Sequence, residues 1–187
     1  MKRTVLLLLL GLAGPVSASP ASYTLEPTKS SVGWETDFGA DHISGKMPVT
    51  RADLTLDFQK VANSKVAVTL DVTRAQSGLP FATQALKSPD VLDAAKYPAI
   101  TFASTSISPD GDGARIKGNI TIRGVTRPMT LSAVIYRQQG TQQGDLSHLT
   151  LHLTGAVQRS DFGATGWSDM VGDTVRLDIM ARIARVN

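Results

Sequence analysis

The amino-acid sequence predicts an all-β domain with one short helical insert, and three observations predict it. Segment after segment alternates apolar and polar residues with a period of two, the mark of a strand with one buried face. Turn-forming clusters such as Pro109-Asp110-Gly111-Asp112-Gly113 and Gly140 to Gly144 separate those segments. One stretch, Gly78 to Pro98, lacks alternation and carries helix formers instead.

The chain opens with Lys2 and Arg3, an apolar run from Val5 that continues through Gly11 to Ala13, and Val16-Ser17-Ala18. A charged head, a short apolar centre and small residues before a cut after Ala18 predict a secretory signal peptide over residues 1–18. The run is too short to span a bilayer, which needs about twenty residues, so an exported, soluble domain over residues 19–187 is expected.

Weak alternation marks strands at Val32 to Phe38 and Asp53 to Phe58, the latter with Leu54, Leu56 and Phe58 inward. Val66, Val68, Leu70 and Val72 alternate with Lys65, Ala67, Thr69 and Asp71. In the insert, Leu79 to Leu86 reads as a short helix. Ser88-Pro89-Asp90 then has the hydroxyl, first-turn proline and acid that a second short helix favours, and Tyr97-Pro98 ends it. Strands resume at Ile100 to Ile107. The clearest follows, with Ile116, Gly118, Ile120 and Ile122 on one face and Arg115, Lys117, Asn119, Thr121 and Arg123 on the other. Met129 to Tyr136, Leu149-Leu151-Leu153 and Val175-Leu177-Ile179-Ala181-Ile183 complete roughly eight strands.

Composition narrows the function classes. The 187 residues include no cysteine, which excludes disulfides, thiolate metal sites and a cysteine nucleophile. A net charge of +3, two units of which belong to Lys2 and Arg3, gives no electrostatic reason to expect nucleic acid as a partner. His148 and His152 share a polar strand face but lie roughly 13 Å apart along an extended strand, too far to chelate one ion. His42 follows Asp41 in a short loop read at Gly39 to His42, with no third ligand in view. Asp110-Gly111-Asp112-Gly113 begins like a calcium loop but lacks its later acids, and a tight turn accounts for it. Ser160-Asp161 and Ser168-Asp169 sit in no nucleophile motif, and no phosphate-cradling glycine loop occurs. No catalytic constellation, cofactor or metal is expected.

About eight one-faced strands with one small insert must fold onto themselves, as a closed barrel or a two-layer sandwich. An eight-stranded barrel is near the size at which its interior is either filled by side chains or left open for one small ligand. Strand periodicity is the same in both cases. Small inward residues such as Gly118, Ala133 and Ala181 leave volume, but a packed core also contains such residues.

Ordered motifs carry a resemblance. Lys87-Ser88-Pro89-Asp90-Val91-Leu92-Asp93, then Lys96 to Ser104, then Gly118-Asn119-Ile120-Thr121-Ile122-Arg123-Gly124-Val125-Thr126-Arg127-Pro128-Met129-Thr130-Leu131 resemble the central signature of the YceI-like family of bacterial periplasmic proteins. Arg159 to Gly163 and Val171 to Val175 extend the likeness towards the C-terminus. The resemblance implies an extended eight-stranded antiparallel lipocalin-like barrel, with the helical insert around residues 79–96, enclosing a polyisoprenoid, an isoprenoid quinone or a similar long-chain lipid. It implies no catalytic residues. Many members carry a histidine in the first strand where this chain has Phe38, and paired aromatics where Val91-Leu92 stand.

Strand parity within such a barrel assigns Val32, Trp34, Phe38, Leu54, Leu56, Phe102, Ile120 and Ile122 to the ligand-binding wall. Phe81, Leu86 and Trp167 are assigned to the entrance. The expected partners are the lipid, transiently the membrane that supplies it, and a second copy of the chain as a homodimer; the expected location is the periplasm. Two other readings stand beside it: a ligand-free partner of a membrane redox complex, and a lipid-modifying enzyme using His42 and Asp41.

Overall fold

The computed structural model describes residues 20–137, 142 and 144–186. The expected signal peptide therefore lies outside the described residues, as does most of the turn at Gly140 to Gly144. The strands are β1 (Ala21–Leu25), β2 (Ser31–Phe38), β3 (Asp41–Met47), β4 (Val49–Leu56), β5 (Lys65–Asp71), β6 (Gln76–Ser77), β7 (Ala99–Asp110), β8 (Gly113–Ile122), β9 (Val125–Arg137), β10 (His148–Gln158) and β11 (Val171–Arg185). The first six are halves of three long strands broken in the middle: β1 with β2, β3 with β4, and β5 with β6.

Each long strand pairs antiparallel with the next, and β11 returns to pair with β2 along Val171 to Met180 and with β1 along Ile183 to Arg185. The result is a closed up-and-down barrel of eight long strands. Among the described residues, closure leaves no long free edge that would pair with another chain.

The breaks have local causes. Pro27 opens the turn that interrupts the first long strand, and Ser30 compensates by accepting a hydrogen bond from the Arg182 amide at 2.9 Å. Pro48 has no N–H and separates β3 from β4, while its carbonyl accepts from the Asp71 amide at 2.9 Å. The ladder is bent there without leaving its polar groups bare.

Tight two-residue hairpins fix the register. Gly39-Ala40 joins β2 to β3, so Asp41 and His42 open β3, opposite Phe38 and Asp37, and are not in a loop. The four-residue loop read from sequence was too long because a two-residue turn suffices. Arg123 (φ 51°) and Gly124 (φ 75°) join β8 to β9, and positive φ at both positions is what a type I′ hairpin requires.

The insert holds one helix, α1 (Pro80–Lys87), opened by Pro80. The second helix expected after Ser88 does not form. Ser88 ends α1 with extended backbone and donates its hydroxyl back to the Ala85 carbonyl at 2.7 Å, so it caps nothing downstream. Asp93, with φ 47°, then turns the chain against a helix, and residues 88–97 run as successive turns.

Both cross-overs that are longer than a hairpin at the α1 end, residues 78–98 and 159–170, cover the same mouth of the barrel. At the opposite end Leu149, Ile183 and Tyr23 are almost fully buried, with Phe58 meeting the Tyr23 ring edge-on at 5.9 Å. The Tyr23 hydroxyl donates to the Leu146 carbonyl at 2.9 Å, which lets that ring be buried without an unpaired polar tip.

Candidate functional site

Inward-facing apolar residues along the middle of the barrel are only half-buried, among them Val32, Leu54, Leu56, Val66, Val68, Leu70, Leu177 and Ile179. In a packed core such positions are close to fully buried. Their remaining exposure is to an internal cavity of about 920 Å³, near the upper end of the roughly 300–1,000 Å³ range of ligand pockets. The cavity is long as well as large, since its wall runs from Phe38 and Leu86 at the α1 end to Leu56, Phe58 and Val61 at the other.

All the residues that parity assigned to wall or entrance lie on this surface. Val32, Trp34 and Phe38 come from β2, Leu54 and Leu56 from β4, Phe102 from β7, and Ile120 and Ile122 from β8. Phe81, Leu86 and Trp167 border it at the α1 end, where Phe81 and Trp167 are 59% and 55% exposed. Val66, Val68, Leu70, Leu177 and Ile179 line it too and had the same period-two signal. Ile43, Met47 and Val49 complete the wall beside Pro48, where the broken strand hides the alternation.

Of the three small inward residues, Ala133 and Ala181 line the cavity and Gly118 does not. Gly118 leaves no void: a Cβ there would fall 2.4 Å from Cζ of Phe102, whose ring already occupies the site. The Phe102 ring leans onto Gly118, and the Trp34 indole leans onto Gly45, across the ladder.

Polar side chains on the wall are mostly satisfied by the protein itself. The Thr36 hydroxyl is within 3.0 Å of the Gly172 and Thr174 carbonyls. Asp57 accepts from the Gln59 and Lys60 amides and from Asn63 Nδ2, at 2.8–3.0 Å. Those bonds, led by the one from Asn63, hold its carboxyl below the usual range. The exception is Trp34, whose Nε1 is buried with no hydrogen-bond partner among the described residues.

Two arginines hold the mouth together, a role that no sequence pattern announces. Arg123 donates to the Pro89 and Val91 carbonyls at 2.6 and 2.8 Å, tying the insert to the β8–β9 hairpin. Arg159, buried at 8% exposure, donates to the carbonyls of Ala164, Gly166, Val171 and Gly172 at 2.6–2.9 Å. It gathers the loop that carries Trp167. The two halves of the mouth meet where the Gly166 amide donates to the Asp90 carbonyl at 2.9 Å.

The histidines face away from the cavity wall. His42 Nδ1 lies 3.0 Å from Asp37 Oδ1, and Arg176 bridges Asp37 and Glu35 beside it. The Arg176 guanidinium holds the Asp37 carboxyl below its ordinary value. His152 Nε2 lies 2.7 Å from Asp178 on the outer face. Among the described residues no group of three His, Asp or Glu side chains is placed to hold a metal, and no helix is long and apolar enough to cross a membrane.

The model of the YceI-like domain matches residues 23–183, from the first strand of the barrel to the last. The chain belongs to the YceI-like family. Protein YceI of Escherichia coli O17:K52:H18 is 42% identical to it over 108 residues, 58% of this chain and 56% of that protein, so the aligned stretch spans little more than half of that relative. Among solved structures, BcnA of Burkholderia cenocepacia superposes on the YceI-like barrel with a TM-score of 0.76 at 22% identity, over 85% of this chain and 99% of that one. A polyisoprenoid binding domain from Saccharophagus degradans gives 0.61 at 10% identity, over 89% and 99%. These two likenesses establish the shared fold.

Proposed function

We propose that this YceI-like barrel binds one long apolar chain, a polyisoprenoid, an isoprenoid quinone or a similar lipid, and carries it shielded from water in the periplasm. The observation that carries the reading is the elongated cavity of about 920 Å³ with an almost wholly aliphatic and aromatic wall. Burying about 300 Å² of hydrocarbon at ~25 cal/mol per Å² contributes roughly 7 kcal/mol before ordering costs, enough to hold a chain with no charged contact. The solved polyisoprenoid binding domain with the same fold supports this ligand class. The charged, apolar and small-residue order of residues 1–18 supports export.

Leu79, Phe81, Trp167 and Met170 are exposed apolar residues on the two mouth segments, and three of them continue the cavity wall outwards. Large side chains of this kind enter the interfacial layer of a bilayer, which supports transient membrane contact as the route of loading. A lipid-modifying reading would need His42 and Asp41 at the cavity, and neither lies on its wall.

Titration with prenols of increasing length tests the binding. Affinity is expected to rise with each isoprene unit, because each buried methylene contributes up to about 0.8 kcal/mol. Val68→Trp, which fills the middle of the cavity, is expected to weaken the longest prenol most. Affinity independent of chain length would count against the reading.

A further inference from the structure

Trp167 has a backbone φ of 61°, in the left-handed region. A bulky side chain avoids that region because its Cβ crowds a neighbouring carbonyl, so such a position favours glycine or asparagine. Gly163, with φ 71°, meets the same demand in the same loop without strain. The strain at Trp167 persists because the backbone is fixed on both sides of it. Before it, the Gly166 carbonyl accepts from Arg159 at 2.7 Å and the Gly166 amide donates to the Asp90 carbonyl at 2.9 Å. After it, the Met170 and Val171 amides donate to the Trp167 carbonyl at 3.0 and 2.8 Å. Burial of the indole does not offset the strain, since Trp167 is 55% exposed.

Resting on the binding function proposed above, we propose that Trp167 is the residue through which the barrel meets an uncharged lipid surface, and that it sets how fast a ligand passes from that surface into the cavity, not how tightly the ligand is held. The strained loop keeps the indole outward, where a packed alternative would fold it away. Trp167 also belongs to the cavity wall, so a bilayer that receives the indole is placed against the opening. An indole suits the headgroup level, being apolar in body and polar at one tip. Leu79, Phe81 and Met170 add apolar surface beside it. Charge does not drive the contact: Asp169 is the only charged residue between Phe162 and Met170, and residues 78–86 have none. Anionic headgroups are therefore not needed, and screening by salt leaves the contact in place.

The test uses retinol, a fluorescent isoprenoid alcohol, delivered either from dilute ethanol, which reads affinity, or from dioleoylphosphatidylcholine vesicles, which reads the rate of transfer. Trp167→Asn is expected to slow transfer from vesicles about tenfold. It is expected to change the affinity measured from ethanol by less than about twofold. Because asparagine accepts positive φ, the same variant is expected to unfold about 2–4 °C higher than the unaltered protein. Trp167→Phe keeps an interfacial ring and is expected to keep most of the transfer rate. The chain has two tryptophans, so Trp34→Phe leaves Trp167 as the sole emitter, and its emission is expected to shift to the blue on mixing with the vesicles at low and at high salt. An unchanged transfer rate or a lower unfolding temperature in Trp167→Asn, or Trp167 emission that vesicles do not move, overturns the proposal and leaves lipid binding standing. Failure of retinol to bind the unaltered protein from ethanol overturns the binding function itself, and this proposal with it.

Discussion

At the scale of single residues, strand parity carries most of the information. Which side chains face inward on β2, β4, β5, β8 and β11 is legible from alternation alone, because a one-residue register change would send every apolar group to solvent. What alternation cannot convey is the partner across the ladder. The seating of Trp34 on Gly45 and of Phe102 on Gly118 joins residues of different strands, and each glycine, read within its own strand, suggests empty space. Gly118→Val forces the Phe102 ring and the nearby Ala103 carbonyl to shift, and is expected to cost roughly 1–3 kcal/mol in urea unfolding. A neutral result would show that the ring moves into the cavity freely. A second residue-level expectation concerns acid. The Thr73 hydroxyl, and after it the Arg74 guanidinium, hold the Asp71 carboxyl at about 2, below its ordinary 3.8. The folded state therefore binds this proton less readily than the unfolded chain, so Asp71 stabilises the fold above its ordinary value and stops doing so as pH falls towards about 2. Asp71→Asn is expected to be less stable than the unaltered protein at neutral pH, with the difference closing between about pH 4 and pH 2 in acid titrations of unfolding.

At the scale of elements, the long strands and α1 were legible and the mouth was not. Ser88-Pro89-Asp90 has the composition of a helix start, but Ser88 spends its hydroxyl on the Ala85 carbonyl and Arg123 takes the carbonyls of Pro89 and Val91. Distant contacts thus outweigh a local preference. Arg159 acts on the facing loop in the same manner, and its four carbonyl partners follow it in sequence at spacings that no motif rule connects. Its removal takes the side-chain donor from the Ala164, Gly166 and Val171 carbonyls, while Gly172 keeps the Thr36 hydroxyl. Arg159→Met is expected to cost about 3 kcal/mol and to raise hydrogen exchange across residues 164–172, while β7 to β9 keep their protection. Unchanged exchange in that loop would mean that its backbone is held without Arg159, by bonds such as those from the Gly166 amide to the Asp90 carbonyl and from the Gly39 amide to the Met170 carbonyl.

At the scale of the whole molecule, the closed barrel follows from counting one-faced strands, since a lone insert of one helix cannot cover them. The cavity does not follow from that count. A filled interior and a hollow one share the same alternation, and the difference lies in how the rings lean and in residues such as Val66, Val68 and Ile179 staying half-buried. Motif order pointed to the hollow alternative through family resemblance, and the volume inside the barrel agrees with it. The central claim is that this volume holds a lipid in the cell. Native mass spectrometry of the protein, isolated gently after export, tests it most directly: a discrete lipid mass retained at one per chain and removed by organic extraction is expected, and a bare polypeptide mass under the same conditions would contradict it.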